Sequence, residues 1–185
     1  MRLAFFLPGP RFAWRETVKR NGRRERLTKH GRHPAPKNHW RIAKIPGKGG
    51  APGFQKIVLH QRTEAAERAL VDALRPLAPA VPLAGALRLD LVSVLPIPAS
   101  WPAWKREAAL AGVVPAIAAR KHGDRGNLLK MVEDALEAAG FYADDAAVTS
   151  GDVAKCYGPV PGYQITITPR GHGPRSAKKW KAWRS

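Results

Sequence analysis

The chain has 185 residues, with 32 Lys and Arg against 14 Asp and Glu, a net charge of +18 and a sequence pI near 11.0. That length suits one domain with a hydrophobic fraction, 44%, sufficient for a core; the charge selects polyanionic partners, nucleic acid first through counterion release, an anionic membrane second. The single cysteine, Cys156, excludes an intrachain disulfide and a thiolate zinc cage and suits a reducing cytoplasm.

In chain order, Leu3 to Leu7 reads as a short strand stopped by Pro8-Gly9-Pro10. Its apolar run is too short for a signal peptide, and no uninterrupted apolar stretch is long enough to span a membrane, so a soluble, intracellular protein is expected. From Lys19 to Lys48 the chain is polar and basic, with Arg23 and Arg24 among eleven Lys and Arg and Glu25 as the only acid. It predicts a mobile arm or long hairpin able to contact phosphates, closed by the glycine-rich stretch Gly47 to Gly53. That stretch lacks the Gly-Lys-Ser/Thr ending of a phosphate-binding P-loop.

Glu64 to Leu77 carries an apolar stripe at helical spacing, ended by prolines at 76, 79 and 82. Leu87 to Val94 alternates as a strand closed by Pro96 and Pro98. Residues 99 to 121 hold Trp101, Trp104, Lys105 and Arg106 before an Ala-rich short helix. Leu128 to Ala139 is the best helix: Leu128, Leu129, Val132, Ala135, Leu136 and Ala139 make one face, Asn127, Lys130 and Asp134 another, and Gly140 is a natural stop. Strands are expected near Ala147 to Cys156 and Tyr163 to Thr168, followed by a basic, Trp-containing tail at 171–185. The fold class is α+β, a single compact domain in which a small mixed sheet packs with one or two core helices. That domain is expected to span 1–170, with the basic arm at about 19–53.

The acids are not evenly spread. Between Asp124 and Asp152 lie Asp124, Glu133, Asp134, Glu137, Asp144, Asp145 and Asp152, half of the chain's total, against only Arg125 and Lys130; the window is net −5 inside a +18 chain. Carboxylates repel a phosphate backbone, so such an island makes sense only where a divalent cation reverses the sign: carboxylate oxygens hold Mg²⁺, which bridges to a phosphate and activates water. Glu133 and Glu137 read as the solvated face of the helix.

The spacing of the island is informative. It runs Asp124-Arg125-Gly126-Asn127-Leu128-Leu129-Lys130, then Asp134-Ala135-Leu136, then Phe141-Tyr142-Ala143-Asp144-Asp145-Ala146-Ala147-Val148, and later Lys155. This resembles the RusA family of Holliday-junction resolvases, whose pattern is Asp-x-Asp-Asn-Leu-x-Lys, an Asp-Ala-Leu helix, and an aromatic followed by Asp-Asp-x-x-Val. Pro98-Ala99-Ser100-Trp101 with Lys105-Arg106 is similar to the Pro-x-Ser-Trp stretch of phage-type members, and Leu7-Pro8-Gly9-Pro10 to the family's first strand and turn. The likeness is close over about 85–168 and looser over 1–84.

The resemblance implies a crossover junction endodeoxyribonuclease that makes paired nicks in four-way DNA during recombination and repair. It further implies dependence on Mg²⁺, with Mn²⁺ a possible substitute, and no small-molecule cofactor. It makes Asp124 the first metal-binding aspartate and Asp145 the last, with Asp144 the adjacent acid and Lys130 near the scissile phosphate. Lys121, Arg125, Asn127, Lys155, Arg23 and Arg24 are the expected nucleic-acid contacts, and Asn127 is also a candidate helix cap. Gly126 stands where the family usually has its second aspartate. Asp144, Asp134 or Asp90 supplies the missing oxygen, or water fills the site at lower affinity, or the chain is a non-catalytic branched-DNA or RNA-binding protein with a degenerate site. Retained activity is expected because the other motif positions remain.

A twelve-residue helix is about 18 Å long, and five extended residues reach at most roughly 17 Å. A return from its far end that brings Asp145 to Asp124 within one chain is therefore tight. Two such helices antiparallel about a two-fold axis would set one protomer's Asp124 near the partner's Asp145, so a homodimer is expected. Of the remaining constellations, His30, His33 and His39 lack a fourth partner for zinc and suit phosphate or solvent. Trp180 and Trp183 could stack on unpaired bases or pack on the core. No nucleophile elbow occurs. The expected location is the cytoplasm of a bacterium or phage-infected host, in association with the nucleoid rather than a membrane.

Overall fold

The structure, a computed structural model, describes residues 2–20, 23–32, 40–45, 54–117 and 124–170. The Gly47–Gly53 loop, His33, His39, Lys121 and the 171–185 tail lie outside the described residues.

Strand β6 (Leu87–Pro96) is the axis of the fold. Its period-2 pattern is strict: Leu87, Leu89, Leu91, Ser93 and Leu95 are buried while the residues between them are half-exposed, so one face of the strand is core and the other is not. β6 pairs antiparallel with β9 (Gly162–Pro169), which pairs antiparallel with β1 (Leu3–Pro8). On its other edge β6 pairs in parallel with β7 (Val148–Ser150) at its start and with β8 (Val153–Gly158) along the rest. The sheet is therefore mixed, as expected for an α+β domain. The single strand foreseen over 147–156 is two, because Gly151 and Asp152 break it.

A parallel pair cannot be closed by a hairpin; the chain must travel back the length of the strand before the second one starts. Helix α2 (Ala103–Leu110) begins the journey and α3 (Arg125–Ala139) makes the return. Leu83, just before β6, bridges Tyr142, just after α3, and its N–H donates to the Phe141 carbonyl at 2.8 Å. The C-terminus of α3 thus sits at the start of β6, and its N-terminus at the opposite end of the strand.

α3 packs through Leu128, Met131, Val132, Ala135, Leu136 and Ala139, all buried, at the spacing its sequence predicts. Together with Ala66, Leu70, Val71 and Leu74 of α1 (Gln61–Leu74) it covers Leu87, Leu89 and Leu91. Each fully buried Leu contributes about 1.5–3 kcal/mol. α3 ends at Gly140, whose φ of 91° is the left-handed conformation that a side chain disfavours. Its N-cap is Asp124 rather than Asn127: the Asp124 carboxylate accepts from the Asn127 backbone N–H, so Asn127 receives the cap.

Between β1 and α1 the basic stretch forms two ribbons. β2 (Arg11–Arg20) pairs antiparallel with β3 (Arg23–Arg32), and β4 (Trp40–Ile45) with β5 (Phe54–Leu59). The expected hairpin is present and begins eight residues earlier than the basic run, because Phe12 and Trp14 fasten it to the core.

Gly151 at the β7–β8 junction lies directly against β6: a Cβ there would overlap the Leu89 carbonyl oxygen. Gly151→Ala should therefore lower the unfolding free energy by about 1–3 kcal/mol, the usual cost of overpacking. Urea titration with an unchanged m-value is the expected readout.

Candidate active site

The α3 helix carries Asp124, Asn127, Lys130 and Asp134 along one side, with Asp124 and Lys130 exposed and Asn127 and Asp134 half-buried. Asp124 Oδ1 accepts from Asn127 N–H at 2.8 Å and Oδ2 from the Asn127 side-chain amide at 2.7 Å. Asp124 is exposed and each carboxylate oxygen can accept a second partner, so the cap does not exhaust its capacity to bind a cation. Gly126 sits beside this carboxylate: a Cβ at 126 would lie 3.5 Å from Asp124 Oδ1, ordinary contact, with nothing else near. The first carbon of a side chain at 126 is therefore accommodated beside Asp124. Lys130 is 57% exposed and reaches Asp134 at 3.7 Å, a loose pairing that leaves its ammonium free to turn toward a phosphate. Arg125 opens the helix and is exposed.

The Asp144-Asp145 pair follows the C-terminal end of α3. Asp144 caps a 3-10 turn at Asp145–Ala147, accepting from Ala146 N–H at 2.8 Å, and both acids are exposed. The turn leads into β7, whose Val148 is in register with Leu87 at the start of β6. Asp145 is felt by Glu133, whose carboxyl is pushed above the ordinary range by burial and then by the Asp145 charge. Glu133 is nine residues beyond Asp124, about 13 Å along the helix axis. Asp124 and the Asp145 turn thus occupy different ends of the crossover. Among the described residues, no three His, Cys, Asp or Glu side chains converge on one cation position.

Glu133 corrects the sequence reading, which made it part of a solvated face. It is half-buried, and its main-chain carbonyl accepts from the hydroxyl of Tyr142, itself buried with its phenol pushed upward by desolvation. The signal that could have found it is Tyr142, since a buried tyrosine needs a hydrogen-bond acceptor nearby.

Asp90, considered as a replacement ligand, is engaged elsewhere. On the non-helix face of β6 it accepts from Arg88 Nε at 2.9 Å and from the Asp152 N–H at 2.9 Å, while Arg88 also binds the Asp152 carboxylate. The Arg88 hydrogen bonds hold the Asp90 carboxyl below its ordinary value of 3.8, and the same contacts hold Arg88 firmly charged. The network pins the β7–β8 turn to β6.

Lys155 stands on β8 in register with buried Ser93, hence on the helix side of the sheet. Arg23 and Arg24 are exposed at the far end of the β2–β3 ribbon. Trp101 is held edge-on to Tyr157 at 5.1 Å, with the Lys105 ammonium 4.3 Å from its ring centre. A cleft of about 590 Å³ beside it, between Pro96, Arg106 and Gly158, contains none of the expected site residues.

A basic α+β domain with carboxylates on and around one helix has the charge to bind a polyanion and the oxygen donors that a hard divalent cation takes. The comparisons narrow this to one family. The family model for Endodeoxyribonuclease RusA matches residues 33–168, most of the chain, and the chain belongs to that family. No curated protein matches it. RusA-family proteins are divalent-metal-dependent endonucleases that resolve Holliday junctions, so this chain is an endonuclease of four-way DNA. No described helix is long and apolar enough to cross a membrane.

Because Asp90 is depressed, its contribution to stability is present above pH 3.8 and disappears as the pH falls through the lowered folded value. Asp90→Asn should cost no more than about 1 kcal/mol at pH 7, as a screened, partly exposed pair does. The gap to wild type should close below pH 3.8 in pH-dependent thermal unfolding, and junction cleavage at pH 7 should be unaffected.

Proposed function

We propose that this resolvase works with Mg²⁺ in a homodimer, each reaction centre combining Asp124 of one protomer with Asp144-Asp145 of the other. The observation that carries the proposal is the placement of the two carboxylate groups at different ends of one crossover, within an exposed acidic region of a strongly basic chain. The donors are all carboxylate oxygens, the set a hard divalent cation takes, and Mn²⁺ fits the same set. A two-fold axis perpendicular to α3 sets two copies of the helix antiparallel and brings the unlike ends together. It also matches a four-way junction, where paired nicks fall on opposed strands.

Asp124, Asp144 and Asp145 would hold the ion, which supplies charge neutralisation and an acidified water when bound. Lys130, three residues from Asn127 on the same face, neutralises charge growing on the phosphate oxygens. Asn127 fixes the Asp124 carboxylate through its amide, so the ligand oxygen is oriented before DNA arrives. Arg125, Lys121 and Lys155, with Arg23 and Arg24 of the arm, bind the backbone around the cut. Residues 1–170 form the resolvase domain with its arm at about 19–53, and 171–185 a basic tail. The place of action is the nucleoid in the cytoplasm.

Asp124→Asn and Asp145→Asn should each lower Mg²⁺-dependent cleavage of a four-way junction by about 100-fold or more, since a lost ligand removes several kcal/mol of charge stabilisation. Cleavage equal to wild type in both would sink the assignment. Mixing the two inactive variants decides the dimer: a heterodimer regains one complete centre only if the carboxylates come from different protomers. No recovery in demonstrably mixed dimers would place the centre within one chain. Gly126→Asp should tighten Mg²⁺ binding in isothermal titration, because the new carboxylate fits beside Asp124.

A further inference from the structure

The β2–β3 ribbon precedes residues 33–168, the stretch matched by the family, and its two faces are chemically different. Cross-strand partners share a face. Phe12 opposes Gly31, Trp14 opposes Lys29, Glu16 opposes Leu27 and Val18 opposes Glu25. This inner face carries the ribbon's apolar anchors and both of its acids. Phe12 is buried, Arg62 of α1 lies 5.6 Å from the Trp14 ring centre, and Lys29 pairs with Glu16 at 2.7 Å. The inner face is what fastens the ribbon to the body.

The intervening positions make the outer face. It carries Arg11, Arg15, Arg24, Arg26, His30 and Arg32, with Ala13, Thr17 and Thr28 between them and no carboxylate. Every one of these residues is exposed. Arg32 donates to the Gly9 carbonyl at 3.0 Å. Among the described residues no carboxylate pairs with Arg11, Arg15, Arg24 or Arg26. Like charges crowded on one face of a ribbon repel one another, and a polyanion laid across them removes the repulsion. Guanidinium groups suit phosphate better than ammonium does, because the planar fork donates two hydrogen bonds at once. A two-stranded ribbon is also of a width that a DNA groove admits.

We infer that the outer arginine face of the β2–β3 ribbon is a clamp for one duplex arm of the junction, binding its phosphates without reading sequence. The assignment rests on the chain being a junction endonuclease, and it adds a contact surface outside the family-matched domain. It also separates the two arginines at the ribbon tip. Arg24 belongs to the clamp, whereas Arg23 stands opposite Arg20 on the other face.

Arg15 and Arg26 are diagonal neighbours at the centre of that face, so the double variant R15A/R26A tests the clamp. A charge-matched control is R68A/R75A, two exposed arginines on α1 and at its C-cap. Binding of a catalytically inert four-way junction and of a linear duplex is measured from 50 to 200 mM salt. Two lost phosphate contacts reduce the slope of log affinity against log salt by about 1.8, so wild type should lose about twelve-fold more affinity than R15A/R26A across that range. The loss should be alike for junction and duplex, and the control should follow wild type. An R15A/R26A slope equal to wild type overturns the clamp; so does an equal change in the control, which would make it an effect of net charge. Loss of binding to acidic phospholipid vesicles with an unchanged DNA slope would assign the ribbon to a membrane surface and overturn it as well. Unchanged far-UV circular dichroism shows that the exposed substitutions leave the ribbon folded. A wild-type protein that neither binds nor cuts a junction would bring down the functional reading itself, a failure visible before any ribbon variant is compared.

Discussion

The packing of α3 onto the leucine face of β6 is the contact on which the rest of this molecule depends. Met131, Val132, Ala135 and Leu136 are fully buried against a sheet face built by Leu87, Leu89 and Leu91. Because β6 and β8 are parallel, the helix that crosses between them must run the length of the sheet. Its polar side is thereby turned outward, and its two ends are fixed at the two ends of the strand. The chemistry-bearing residues inherit their positions from this one crossover. Asp124 is held where the helix begins, and Asp144 and Asp145 in the turn that follows its return.

This arrangement explains why the acidic island coexists with a basic chain. Hydrophobic burial consumes one side of α3 and leaves the other free for groups that would be costly in a core. Lys130 lies on that side with Asp134 half-buried beside it, and Asn127 steadies Asp124. Glu133 sits at the border, half-buried, so that the Asp145 charge reaches it through protein rather than through water alone. A cation near Asp145 would relieve both effects that raise the Glu133 carboxyl, the neighbouring charge directly and the burial by providing a counter-charge. The network of Arg88, Asp90 and Asp152 works on the opposite face of the sheet and has a different task. It holds the β7–β8 corner in place.

The ribbons extend the same logic of divided faces. In β2–β3 the residues that touch the body and those that face outward alternate along each strand, so attachment and charge are separated without a core of the ribbon's own. A resolvase must hold a large, bent polyanion while presenting carboxylates to only two of its phosphates. Distributing guanidinium groups on an outlying ribbon, away from the acidic helix, keeps the two requirements from cancelling one another.

Much of this was legible in the sequence. The 3.6-residue stripe from Leu128 to Ala139 and the alternation from Leu87 to Val94 are direct consequences of which side of each element meets the core, and the structure keeps both. The run from Asp124 through Lys130 to Asp144-Asp145 carries the family resemblance, and a family match over residues 33–168 agrees. Position relative to other elements is a different matter. Asp124 replaces Asn127 as the cap because capping depends on where the backbone leaves helical geometry, which periodicity locates only to within a few residues. Asp90 looked available as a ligand because nothing local reveals that Arg88 and Asp152, 62 residues away, close around it. Glu133 looked solvated because its burial comes from the chain folding back through Tyr142. The sequence alone determined the core faces, the charge and the chemical kind of the site; the tertiary structure decided which carboxylates remain free and how far apart one crossover holds them, since those depend on contacts between residues distant in the chain.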